Sequence, residues 1–362
     1  MKKKLLFLLI VGLLMSYTSL FATRLWDVAM MHPPKWVNLF SYKYHRYAID
    51  IRKLAEMEKM SLRDALEVQN HYYDFVMDRS NKTFPDICFQ KALARVKNDK
   101  KKYENVWNQE NIDKAKFIVV FDLDDTLLNQ YYCLGAKGPA YRDIVLGEKN
   151  FRIDKDNPDW HDNYLKFTPG YKKIFERIKK LGGSVVLFTA KNDYMANKIY
   201  KLWMYDDKSH ISEHIDGFMT KNHLTLVPGS KYERGHAYPM KDMEIIDPTL
   251  TKIIIVDDSP SKTYQSIHVR FLQEYNPDIH LAEDTSDAVK KMYENLLPEI
   301  GNEIEESVKY MNANKDVTFN DAYKPYSLQG RVALNSLIAS GLSKIEALKL
   351  LRRTKELIQD RF

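Results

Sequence analysis

Cysteine is almost absent. Cys88 and Cys133 are the only two in 362 residues, a count that fits neither a disulfide scaffold nor a cysteine zinc site. One disulfide between them stays open if the protein is exported. A basic stripe interleaved with aromatics is missing too. The net charge is a modest +6, and the densest basic run, "KNDKKK" at 97–102, reads as a solvated face, so nucleic acid is excluded as a partner. There is no internal repeat and no low-complexity segment. With 44% hydrophobic and 29% charged residues, the composition excludes long disorder, and the length supports one large domain or two modest ones.

The N-terminus carries three lysines, an apolar stretch from Leu5 to Met15, and a polar patch ending near Ala22. That layout predicts a signal peptide over residues 1–22 and an exported protein, periplasmic or secreted; the apolar stretch is short for a membrane span. Leu20, three residues before the cut, is not small. The alternative is therefore an uncleaved segment that anchors the chain to a membrane.

Residues 23–114 read as a helical N-terminal region. Ser61-Leu62-Arg63-Asp64 resembles a capping box opening a helix towards Asp78, and Pro33, Pro34 and Pro85 mark breaks. The aromatics Trp26, Trp36, Tyr42, Tyr44, Tyr47, Tyr72 and Tyr73 are expected to pack this layer on the next domain. Asn81-Lys82-Thr83 matches a glycosylation sequon, which matters only in a eukaryotic secretory pathway.

From Lys116 the rhythm becomes strand, loop, helix, strand. "KFIVVFD", "SVVLFTA" and "TKIIIVDDSP" are apolar runs that close on polar residues. Between the first two, Ile174, Phe175, Ile178 and Leu181 recur at helical spacing and Gly182-Gly183 stops the helix; another helix is predicted over 193–204. Buried strands alternating with amphipathic helices predict an α/β fold, a Rossmann-like parallel sheet with helices on both faces. It occupies 115–297, with an insert at 131–167. A helical C-terminal region follows over 298–362, including a helix pair at about 328–340 and 343–360 with Ser343 as an N-cap.

In such a sheet, ligands bind beyond the carboxyl ends of the strands. Those ends carry Asp122, Thr189, and Asp257 with Asp258. The first lies in "FDLDDTLLN", three aspartates in four positions. Crowded carboxylates repel one another unless a cation holds them together. Oxygen donors without histidine suit a hard cation, most naturally Mg²⁺, which would also draw phosphate oxygens. If the segment is extended, Asp122 and Asp124 face one substrate as nucleophile and acid/base, while Asp125 faces away.

"DLDDT" resembles the DxDxT signature of the haloacid dehalogenase-like phosphatases, "VVLFTA" their second motif and "IIIVDDSP" their fourth. "TPG" before a helix, "LFTA", "MKD" and "DDSP" resemble the branch of the RNA polymerase II C-terminal-domain phosphatases, also called NLI-interacting-factor-like. The resemblance covers about half the chain. It implies a Mg²⁺-dependent phosphomonoesterase working through an aspartyl-phosphate on a phosphorylated small molecule or phosphoprotein.

Under that resemblance Asp122 is the nucleophile and a metal ligand. Asp124 is the acid/base and lends its carbonyl to the metal, and Asp258 completes the protein ligands. Thr189, with Ala190, binds the phosphoryl group, and Thr126 orients its loop. Lys241 steadies nucleophile and phosphate with Asp257 beside it, although Lys191, Lys221 and Lys231 lie between the same motifs. Asp125 and Asp258 stand where the branch often has Glu and Asn. The insert is longer than that branch suggests, and Tyr131, Tyr132, Arg142 and Trp160 are its candidates for lining a pocket. The other readings are a catalytically silent binding module on the same fold, or a phosphotransferase using the same intermediate.

Overall fold

The computed structural model describes residues 49–77, 85–98, 106–132, 143–145, 163–228 and 237–354. The chain forms two compact units, residues 1–100 and 101–362. The segment expected to direct export, the sequon, Trp26, Trp36, Tyr42, Tyr44 and Tyr47 all lie outside the described residues.

The first unit contains helices α1 (Ile51–Glu58), α2 (Leu62–Met77) and α3 (Pro85–Asn98). Asp50 caps α1 by accepting from Lys53 N, and Ser61 Oγ accepts from Asp64 N at 3.1 Å, as the capping pattern predicts. Leu54, Val68, Tyr72, Phe89 and Leu93 are buried as its core. Tyr72 stands edge-on to Phe89, with ring centroids 6.1 Å apart. Cys88 is buried in the same core; Cys133 lies outside the described residues.

The second unit opens with α4 (Gln109–Lys114), β1 (Phe117–Phe121), β2 (Leu128–Tyr132), β3 (Ile144–Val145) and β4 (Asn163–Phe167). α5 (Tyr171–Lys180), β5 (Gly183–Phe188), α6 (Asp193–Leu202), β6 (Gly217–Met219), β7 (Thr225–Pro228) and β8 (Ala237–Met240) come next. Then follow β9 (Ile253–Asp257), β10 (Val269–Phe271), α7 (Pro277–His280), α8 (Asp287–Ala313), α9 (Phe319–Tyr323), α10 (Leu328–Ala339) and α11 (Lys344–Arg353).

The central sheet has the order β10-β9-β1-β5-β6, and every pairing in it is parallel. β1 lies in the middle, with Phe121 in register with Leu187 of β5 and with Val256 of β9. All residues of β1, β5 and β9 are buried. Continuous Val, Ile and Phe runs belong in strands covered on both faces, so the unbroken apolar pattern and the helices around this sheet have one cause. Chain order reverses at β1, and that puts the ligand crevice outside its carboxyl end.

The helix expected after "TPG" is α5, and Ile174, Phe175 and Ile178 are its buried stripe. Gly182 ends it at φ +83°, a left-handed backbone that disfavours any residue with a Cβ. The break between the compact units falls at residue 100, so α4 belongs with the sheet. At the other end α8 runs unbroken through residue 298. Tyr293, Leu297, Ile304, Phe319, Leu334 and Leu351 therefore share one core with β1 and α5. Ser343 caps α11 by accepting from Glu346 N, as expected.

The insert is built at both ends as an antiparallel sheet in the order β2-β4-β3, with Tyr131 opposite Tyr164. Arg142 and Trp160 lie outside the described residues, as do the side chains of Tyr131 and Tyr132.

Candidate active site

β1 delivers Asp122 into the crevice almost fully buried. The chain then turns at once. The N–H groups of Thr126, Leu127 and Leu128 all donate to Leu123 O, and Asp125 N donates to Leu128 O at 2.7 Å. Asp125 has φ +60°. The segment is thus a tight turn into β2, and the expectation of an extended strand through Asp125 is corrected. The three N–H groups gathered on Leu123 O close this turn, and Leu123, Leu127 and Leu128 are all buried in it. The Asp125 carboxylate accepts from Asn129 Nδ2. Burial, with Glu274 and Asp124 adding repulsion, pushes its pKa up to about 6.

Lys241 is fully buried. Its Nζ lies 2.8 Å from Asp122 Oδ1 and 2.7 Å from Asp257 Oδ2. Its backbone is clamped on both sides, N–H to Lys262 O and carbonyl to Tyr264 N, each at 2.8 Å. Burial alone would lower the lysine pKa, but Asp122 and Asp257 outweigh it and hold it above the ordinary value. Among its rivals, Lys221 is exposed and Lys231 lies outside the described residues.

Asp122, Asp257 and Asp258 each bring a carboxylate oxygen within 4.8 Å of the others. An all-oxygen set of this kind fits a hard divalent cation such as Mg²⁺, which takes one or two protein carboxylates and keeps several waters. The three are not equivalent. Asp257 spends one oxygen on Lys241 and accepts Ser259 N on the other at 2.7 Å. Asp258 is half-buried and is oriented by Thr126, whose hydroxyl donates to Asp258 Oδ1 at 3.0 Å and accepts Asp258 N at 3.1 Å. Burial raises the pKa of Asp257 and Asp258, and the charge on Asp122 adds to both shifts. A bound cation would oppose those shifts.

Thr189 is fully buried one residue beyond β5, and its Oγ1 accepts Lys191 N at 3.0 Å. Ala190 between them is half-buried. Asp124 lies on the more open side of the crevice, its side chain 38% exposed, with Lys191 Nζ 2.9 Å from its Oδ1. Burial raises the Asp124 pKa, while Lys191 opposes the rise.

Comparison with known proteins bears on this arrangement. The family model for NLI interacting factor-like phosphatases matches residues 117–297, half the chain. The chain belongs to this family. Among solved structures it is similar to fission yeast RNA polymerase II CTD phosphatase Fcp1, as an arginine-to-alanine variant bound to beryllium fluoride. That likeness has 13% identity and a TM-score of 0.31 over 62% of this chain and 65% of that one, just under two thirds of its length. A second structure, of Fcp1 as an essential RNA polymerase II CTD phosphatase, has 13% identity and a TM-score of 0.32 over 65% and 69% of the two chains. No curated protein matches.

Asp122, Asp257 and Asp258 thus meet across neighbouring strands, and Lys241 reaches Asp122 and Asp257 from outside the sheet. Lys191 was legible in the sequence only as a rival for the place that Lys241 holds. The signal that could have singled it out was its position two residues past Thr189, on a loop at the same end of the sheet.

Proposed function

We propose that the protein is a Mg²⁺-dependent phosphomonoesterase working through an aspartyl-phosphate. The observation that carries this reading is the meeting of Asp122, Asp257 and Asp258 at the carboxyl ends of adjacent strands, with the buried Lys241 ammonium on Asp122 and Asp257. Family membership gives the reaction class. The substrate is a phosphorylated small molecule or a phosphoprotein.

Asp122 attacks the phosphorus and the ester oxygen leaves with a proton from Asp124. Burial pushes the Asp124 pKa upward, the direction that favours proton donation in this step, while Lys191 opposes it. Asp124 then takes a proton from water, which attacks the phospho-aspartate and returns Asp122 and inorganic phosphate. Thr189 spends its oxygen on Lys191 N, which leaves the hydroxyl proton for a phosphoryl oxygen. Lys241 steadies Asp122, and Asp257 holds Lys241. A Mg²⁺ ion held by Asp122, the Asp124 carbonyl and Asp258 would neutralise charge developing on the phosphoryl oxygens.

The test is hydrolysis of an aryl phosphate with Mg²⁺, with EDTA, and with Asp122→Asn. Turnover is expected with Mg²⁺ alone, and loss of at least about a thousandfold in the variant. Equal rates in all three arms would overturn the reading in favour of a binding module. We also propose export, on the layout of residues 1–22. N-terminal sequencing of the mature protein is expected to begin near Thr23, and an intact Met1 would refute cleavage.

A further inference from the structure

Among the described ion pairs, two lysines engage three of the four carboxylates of this crevice, Asp122, Asp124 and Asp257, and they differ in access. Lys241 is enclosed and paired with Asp122 and Asp257. Lys191 rests on Asp124, whose side chain is 38% exposed. A phosphomonoester dianion nearing this crevice meets several carboxylates, and the Lys191 ammonium beside Asp124 offsets part of that charge.

The backbone around Lys191 is fixed. Thr189 N donates to Met219 O, Lys191 N to Thr189 Oγ1, and Lys221 N to Lys191 O, each at 3.0 Å. The lysine therefore projects from a braced loop that also carries the hydroxyl proposed to hold phosphate. The Lys191 side chain is 14% exposed, so its ammonium lies inside the crevice rather than in bulk water.

We infer that Lys191 is the substrate-binding cation at the mouth of the site. Its ammonium holds Asp124 before substrate enters and then hydrogen-bonds the outer phosphoryl oxygens. This rests on the phosphatase reading above.

The experiment compares wild type, Lys191→Met and Lys191→Arg with Mg²⁺. It measures KM and kcat for an aryl phosphate, the inhibition constant of inorganic phosphate, and the midpoint of thermal unfolding. In Lys191→Met, KM and the phosphate constant are expected to rise together by about tenfold, the scale of one charge-assisted hydrogen bond, and by more than kcat falls. Lys191→Arg keeps the charge and is expected to stay within about threefold of wild type. A folded Lys191→Met with both constants within about twofold of wild type overturns the inference, since a lysine that only braced Asp124 would change kcat alone. If wild type shows no metal-dependent turnover, the phosphatase reading fails separately. Calorimetric binding of inorganic phosphate then decides on Lys191, and equal affinity in wild type and Lys191→Met refutes it.

Discussion

Lys241 carries its ammonium fully buried, and Asp122 and Asp257 favour its charged form there. Removing it strands two buried carboxylates, and breaking such a pair costs about 3–5 kcal/mol, more than the packing lost with the side chain. Lys241→Met is therefore expected to unfold at clearly lower urea than wild type in metal-free buffer, with activity lost as well. A variant of unchanged stability would mean that the two aspartates are neutral in the fold. At the same scale, Asp125 is no accident of crowding. It takes the left-handed backbone that turns the chain into β2, a conformation to which aspartate is better suited than most residues with a side chain.

A strand enters the sheet only as closely as its neighbours allow, and the first residue of β5 shows how tight that is. A Cβ on Gly183 would lie 2.5 Å from the Phe117 ring and 2.8 Å from Ile178 Cγ2. Alanine would recover about 0.5–1 kcal/mol of chain entropy in a strand, but over-packing of this kind costs about 1–3 kcal/mol. Gly183→Ala is thus expected to be net destabilising, read as a lower thermal midpoint, and trimming Phe117 to Leu in the same chain should restore part of it. Gly182-Gly183 was legible in the sequence as the stop after α5. That Gly183 also makes room for a ring in the neighbouring strand was not, because the pairing of β1 with β5 joins residues 66 positions apart.

His268 belongs to the whole unit, since it is buried against Asn320 of the C-terminal helices and lies near Asp247. Burial lowers its pKa from 6.5 to about 4. Between those values the unfolded chain binds a proton that the folded one does not. Stability from this group is therefore complete above about pH 6.5 and lost as pH falls towards 4, by about 3 kcal/mol. Asp125, whose folded pKa is raised, acts in the opposite sense over much of the same range. The difference between wild type and His268→Gln isolates the histidine. That difference is expected to shrink between pH 7 and pH 4.5, and a constant one would refute the assignment.

Composition and periodicity by themselves determined the parallel sheet, its helices, and the aspartates at the strand ends. Each of those signals is local: a run of β-branched residues, a 3.6-residue repeat, a carboxylate where a run stops. The motifs pointed to Asp122, Thr189 and Asp258, which follow the like ends of the neighbouring strands β1, β5 and β9. Only the tertiary structure decided that Asp125 sits in a turn, that Lys241 is sealed between two carboxylates, and that Lys191 lies against Asp124. Those depend on which distant segments share a boundary, and burial then sets how strongly each charge is felt. A lysine in a sequence looks the same whether it ends in water or between aspartates.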